Sequence, residues 1–200
     1  MQKQPLQIPE ARRPVSPPSP PPAYGAAAMV DMVDEINWSK CEVLNAKGGG
    51  GALGNCCKQG VRDQELILLE SDADEQLLVT FSFKSKVKLH SILIAGPDDG
   101  RAPRTVKLFA NRIGLGFDDA EDGTAEQVLE FEAGDDKFDT RQELKFVKFQ
   151  NVDTVQLFVQ SNVGDEDTSA LSKVIFYGAN VATTNMGNFK RVAGKVGESD

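Results

Sequence analysis

Histidine is nearly absent from this chain: His90 stands alone among 200 residues. A single imidazole excludes, by count, zinc sites built on two or three histidines. A Ser-His-Asp triad needs only one, but no Gly-x-Ser-x-Gly elbow is present to expose a nucleophile. Position 90 lies inside an alternating, strand-like run, so a structural or surface histidine fits better than a catalytic one. Cysteine is scarce too. Cys41, Cys56 and Cys57 are an odd set at irregular spacing, a poor disulfide framework for a secreted domain. They contain no Cys-x-x-Cys pair, the arrangement that lowers a thiol pKa at a helix N-terminus for disulfide exchange. The vicinal pair is expected to point its side chains apart rather than join Cys41 around a metal. No apolar run approaches the ~18 residues that would span a bilayer. Met1–Glu10 is polar where a secretory signal would be apolar. These absences place the protein in the cytosol, with the nucleus as a second compartment.

Acidic residues are plentiful. The net charge is −8; residues 1–33 carry a balance of +1, which leaves −9 on residues 34–200. A field of that sign repels phosphate backbones and anionic lipid, so neither nucleic acid nor a membrane is an expected partner. Two acidic clusters, Glu70–Glu75 and Asp118–Gly123, gather oxygens that could hold calcium. An EF-hand loop begun at Asp118 fails, because Ala120 falls at its third position and Leu129 at its twelfth. Solvated loops are the default for both clusters, with some carboxylates of the first capping turns. Nothing singles out a carboxylate pair for glycoside hydrolysis.

Eight of the ten prolines lie between Pro5 and Pro22. Proline fixes φ and lacks the amide proton, so this stretch forms neither helix nor sheet ladder. Residues 1–33 are expected to be a disordered leader. A docking segment for a polyproline-recognising domain and a transit peptide are the alternatives. Val33, Ile36 and Trp38 then anchor the chain to a core, Trp38 as a packing residue. Gly48–Gly51 opens a loop running to Gly60. It lacks the Gly-Lys-Ser/Thr needed to cradle phosphate.

Seven segments read as strands: Leu77–Phe83, Val87–Ile94, Arg104–Ala110, Gln127–Phe131, Lys145–Gln150, Thr154–Gln160 and Lys173–Tyr177. Lys84-Ser85-Lys86 reads as the turn of a hairpin between the first two. Val106, Leu108 and Ala110 share one face, and so do Val155, Leu157 and Val159. Such period-2 alternation buries one face of each strand, as in an antiparallel sandwich. With no convincing amphipathic helix, the predicted fold is all-β, a jelly-roll-like antiparallel β-sandwich. Beyond it, residues 187–197 hold three positive charges and no negative one. They read either as a frayed end or as a peptide that orders on a partner.

From about Asp34 to Gly197 the chain closely resembles the proteasome-interacting thioredoxin, or PITH, domain family. The residues that carry this are Leu69-Glu70-Ser71-Asp72-Ala73-Asp74-Glu75-Gln76-Leu77-Leu78, Gly96-Pro97-Asp98-Asp99-Gly100 with Ala102-Pro103, and Val106-Lys107-Leu108-Phe109. Val147-Lys148-Phe149-Gln150-Asn151-Val152, Thr184-Asn185-Met186, Phe189-Lys190-Arg191 and Gly194-Lys195-Val196-Gly197-Glu198 complete the set. Each block is modestly specific; all of them in order are highly so. The resemblance implies a galactose-binding-domain-like jelly roll over residues 34–188, with a flexible tail at 189–200. It implies a non-enzymatic adaptor, without cofactor or metal, docking on the proteasome regulatory particle. Without a thioredoxin module, the chain looks like the branch in which the PITH domain stands alone. Partner contacts are expected in the tail: Phe189 as the apolar anchor, Lys190, Arg191 and Lys195 steering it, and Glu198 beside them. A sugar- or calcium-binding jelly roll is the runner-up, and a thiol redox protein the third reading.

Overall fold

A computed structural model of the chain describes residues 29–62, 64, 67–134 and 138–181. Val30–Asp31 (β1) and Glu42–Leu44 (β2) precede a short helix, Leu53–Cys57 (α1), and the two-residue strand Leu69–Glu70 (β3). Leu77–Ala95 (β4) and Pro103–Ala110 (β5) follow, then the helix Phe117–Asp122 (α2), Gln127–Glu130 (β6) and Arg141–Glu143 (β7). Val152–Asn162 (β8), Ala170–Leu171 (β9) and Lys173–Asn180 (β10) complete the order. All pairings are antiparallel. Among the described residues no helix is long and apolar enough to cross a membrane.

The expected hairpin at Lys84–Lys86 does not exist. β4 runs unbroken for 19 residues. Its first half, Leu77–Ser82, pairs with β2 on one side and β8 on the other, and β8 leads on to β5 and β6. Its second half pairs with β10 on one side and β7 on the other, and β10 carries β1. One strand therefore serves both layers, the device by which sheets turn corners. The three exposed residues Lys84–Lys86 mark the crossing between layers, where a strand leaves one set of neighbours for another. Charge and exposure there imitate a turn.

Leu77, Val79, Phe81 and Phe83 from the first half meet Val87, Leu89, Ile92 and Ile94 from the second in one core. Val106 and Leu108 of β5, and Val155, Leu157 and Val159 of β8, join them. The apolar parity of β4 changes from odd to even between Leu89 and Ile92. The cause is a β-bulge: Tyr177 faces Ser91 while Gly178 faces Leu89, so His90 is the extra residue. The histidine is half-buried in a strand, as expected.

One-sided burial fails at β5 and β8. Phe109 and Phe158, on the outer face, are buried with Leu78 and Ala120 in a second, smaller core. α2 covers it. This helix occupies the Asp118–Gly123 stretch that was expected to be a solvated loop; Asp118 and Asp119 lie in its first turn, where the helix dipole favours carboxylates. The Lys107 ammonium donates to the Glu121 carbonyl at 2.6 Å and so ties the other end of α2 to β5. The loop expected over Gly48–Gly60 likewise contains α1, which buries Leu53, Cys56 and Cys57 at i, i+3, i+4 spacing. Lys145–Gln150 is no strand; Phe146–Lys148 form a 3-10 turn. Packing also begins ahead of residue 34, since β1 pairs with β10 and Met32 is buried.

Candidate partner-binding surface

The residues with reactive side chains are built into the framework. Cys56 and Cys57 do not diverge: both point inward from α1, with their Sγ atoms 3.4 Å apart. Burial pushes the Cys57 thiol well up, and the neighbouring Cys56 adds to the shift, so Cys57 stays protonated. Burial also raises Cys41, against a smaller opposing effect of the Ser82 amide, which donates to its sulfur. A nucleophilic or metal-binding thiol needs the opposite environment. Among the described residues, no three His, Cys, Asp or Glu side chains are grouped to hold a metal ion. Trp38 packs half-buried against the core, with the Lys58 ammonium 5.3 Å from its ring centroid.

Two of the sequence blocks singled out above meet at one end of the sandwich. Arg101 joins them. Its guanidinium donates to Glu70 Oε1 at 2.7 Å and to Asp99 Oδ2 at 2.6 Å. Hydrogen bonds from Arg101 hold both carboxyls below their usual range, and Lys47, 3.5 Å from Glu70, assists there. The acidic stretch is then sewn into place. Ser71 Oγ accepts the Ser169 amide, and the Ser169 hydroxyl donates to the Glu75 carbonyl. The Asn45 amide donates to Asp74 Oδ1 at 2.7 Å, and Asp74 in turn accepts the Gln76 amide. The expectation that some of these carboxylates cap turns is met. Gly100 and Gly164 lie so close that a Cβ on Gly164 would strike the Gly100 backbone. Beside them is a cleft of about 540 Å³, lined by Gly96, Pro97, Asp98, Ala102, Phe138 and Val163 among others.

Replacing Arg101 with glutamine is expected to lower stability at neutral pH by about 1 kcal/mol, since the network is partly exposed. A carboxyl whose pKa is depressed by folding contributes stability above its unfolded pKa of about 4 and loses it as pH falls. The gap between wild type and variant should therefore narrow as pH falls below about 4. Urea unfolding across that range measures it; a gap independent of pH would remove the ion pairs as its cause.

The tail residues expected to bind a partner, Phe189, Lys190, Arg191, Lys195 and Glu198, lie outside the described residues. The sequence reading missed a different feature: four successive exposed residues, Lys145, Phe146, Val147 and Lys148, at the margin of β4. The signal was present, since two lysines bracket two apolar residues there, but strand-like alternation masked it.

A model of the PITH domain matches residues 23–194. The chain belongs to the PITH domain family. Among curated proteins, thioredoxin-like protein 1 of Schizosaccharomyces pombe is 41% identical over 131 residues, covering 62% of this chain and 44% of that protein. A PITH domain-containing protein of Caenorhabditis elegans is 31% identical, covering 69% of this chain and 65% of its own length. The chain thus spans less than two thirds of either relative. Among solved structures, the CBM32-1 and CBM32-2 domains of Clostridium perfringens ZmpB, in complex with GalNAc, superpose with a TM-score of 0.52. Identity is 12%, over 72% of this chain and 35% of that one. A truncated AlyQ with CBM32 and alginate lyase domains gives 0.50 at 8% identity, over 76% of this chain and 34% of that one. These likenesses show that the PITH chain has the jelly-roll β-sandwich fold of those domains.

Proposed function

We propose that this PITH chain is a non-enzymatic protein-binding adaptor that docks on the proteasome regulatory particle in the cytosol and nucleus. Membership of the PITH family over residues 23–194 is the observation that carries the reading. The structure supports it in two ways. The thiols are spent on packing, and Cys57 is held protonated by burial. The two-layered sheet with its sewn loops makes a stiff platform, which keeps the entropic cost of association low. The tail from Phe189 to Asp200 supplies a basic, apolar-anchored peptide on an otherwise acidic chain, suited to an acidic groove. The proline-rich leader offers a second contact, to a polyproline-binding domain.

Purified regulatory particle, mixed with the full chain or with a form ending at Asn188, tests this. Full-length protein should be retained, and the truncated form should bind at least ~10-fold more weakly if Phe189 is a hot spot. Equal retention removes the tail from the mechanism. No retention of the full chain by the particle removes the docking function itself.

A further inference from the structure

We propose that the cleft lined by the loop at residues 96–102, the turn at Val163 and Gly164, and Phe138 is a docking socket, which receives a basic residue with an apolar neighbour from a protein partner. The inference rests on the docking function above and assigns it a surface on the folded domain.

The walls are set where strands end. The Gly164 amide donates to the Gly100 carbonyl at 2.8 Å, and the Val163 amide to the Ala102 carbonyl at 2.9 Å. The turn after β8 is thereby bonded to the loop between β4 and β5. Buried Asn162 closes that turn on itself: its side-chain amide donates to the Glu166 and Thr168 carbonyls, and its oxygen accepts the Glu166 amide. Arg104 adds a bond to the Val163 carbonyl at 2.8 Å. A Cβ on Gly96 would meet Ala102 Cα at 2.7 Å, so the loop at 96–102 is folded tightly across its own base. The third wall is Phe138, stacked on Phe131 with centroids 4.8 Å apart and rings 16° from parallel. That stacking fixes the ring in place. A socket held at so many points loses little freedom on binding, and that is how preorganised contacts gain affinity.

The lining decides what fits. A volume of about 540 Å³ lies within the range of ligand-binding clefts and admits a few side chains of a peptide. Glycine, proline, alanine, valine and phenylalanine make up the lining, and Asp98 is its one residue with a polar side chain. A sugar is held by several convergent polar groups, so this surface selects a peptide over a carbohydrate. The rim supplies the sign. Asp98 is exposed, and the exposed Glu166 brings its carboxyl beside Gly100, 3.3 Å from where a Cβ there would stand. Neither carboxylate has an ion-pair or hydrogen-bond partner among the described residues. The nearby cations are occupied: Arg101 by Glu70 and Asp99, Arg104 by Asp165, and Lys173 by Asp139. The mouth of the cleft therefore carries uncompensated negative charge, and its complement is a cation. An arginine or lysine beside an apolar residue meets both demands, whereas phosphate and anionic lipid are repelled. This sign is opposite to that of the basic tail, so the two contacts together fix the orientation of the domain on its partner.

The test uses the full chain and immobilised, purified regulatory particle. Four proteins are compared: wild type, Ala133→Trp, a rim reversal Asp98→Lys with Glu166→Lys, and a control reversal Glu121→Lys with Asp122→Lys. Ala133 is exposed and lines the cleft, so tryptophan there fills it. Glu121 and Asp122 are exposed on α2, which lines no part of the cleft, and their reversal changes the net charge by the same amount. All substitutions lie at exposed positions, and thermal melting confirms that each variant keeps the wild-type fold. The filled cleft should bind at least ~10-fold more weakly, as expected when a central contact is blocked. The rim reversal should weaken binding about 10-fold at low salt and less at high salt. The control reversal should bind as wild type; equal weakening there would reduce the effect to overall charge and overturn the proposal. If wild type binds and neither cleft variant is weakened, the socket is wrong and the docking function stands. If only one of the two is weakened, the occupant is not a cation with an apolar neighbour, and the proposal is again overturned. If wild type does not bind the particle, both fall. If N-acetylgalactosamine raises the melting temperature of wild type but not of Ala133→Trp, the cleft is a sugar site and the proposal is overturned.

Discussion

Truncating Phe158 to alanine is expected to lower the unfolding free energy by about 3–5 kcal/mol, the usual cost of emptying a buried phenylalanine site. The ring lies on the face of β8 that alternation alone would give to water, yet it is fully buried. It meets Phe117 edge-to-face, with centroids 6.1 Å apart, and packs with Leu78, Phe109 and Ala120 beneath α2. Lys107 spans the same cluster, its ammonium 6.0 Å from the ring centroid. Collapse around the lost ring is limited, because β8 beneath it is paired on both sides and cannot move inward. Urea unfolding measures the change. A loss under about 1 kcal/mol would place Phe158 at a surface site and α2 as a loose flap.

Substitution of Gly178 by valine should cost about 3 kcal/mol or more, at the upper end for forced overpacking. A Cβ at this position would fall far inside van der Waals contact distance of the Lys88 carbonyl oxygen, and against the Leu89 backbone. Both obstacles are main chain, so no rotamer change relieves them. The neighbouring strands β10 and β4 must part where the His90 bulge already bends them. Alanine introduces the same first carbon, so Gly178→Ala should be destabilised in the same direction. Comparing the melting temperatures of the two variants with wild type checks this. Tolerance of alanine would show that the strands can separate cheaply at the bulge.

The layered β architecture was legible in the sequence because alternation of Val106, Leu108 and Ala110, or of Val155, Leu157 and Val159, is a direct print of the pleat. What was lost had physical reasons. Phe109 and Phe158 alternate correctly, but the cover over them comes from α2, which is six residues long and made mostly of acids. No hydrophobic period of 3.6 can be established over so short a span. Lys84–Lys86 look like a turn because a strand crossing between layers is exposed on both faces, and local sequence cannot distinguish the two. The His90 bulge was readable in principle, from the shift of apolar parity between Leu89 and Ile92. Of the candidate surface, the Val147–Val152 block was seen for its likeness to the family, but read as strand. The exposure of Lys145–Lys148 follows from Leu144 donating to the His90 carbonyl while the Phe149 carbonyl accepts the adjacent Leu89 amide, a tertiary fact with no local signature.

The 19-residue β4 has a mechanical consequence. At about 3.3 Å per residue, it runs for roughly 60 Å through the molecule. Neither layer can be peeled away while the other stays folded, because the same backbone is stitched into both. Tension applied at either end of that strand meets the hydrogen bonds of the two halves in shear. Pulled from either end of β4, the domain would therefore give way as one unit rather than layer by layer.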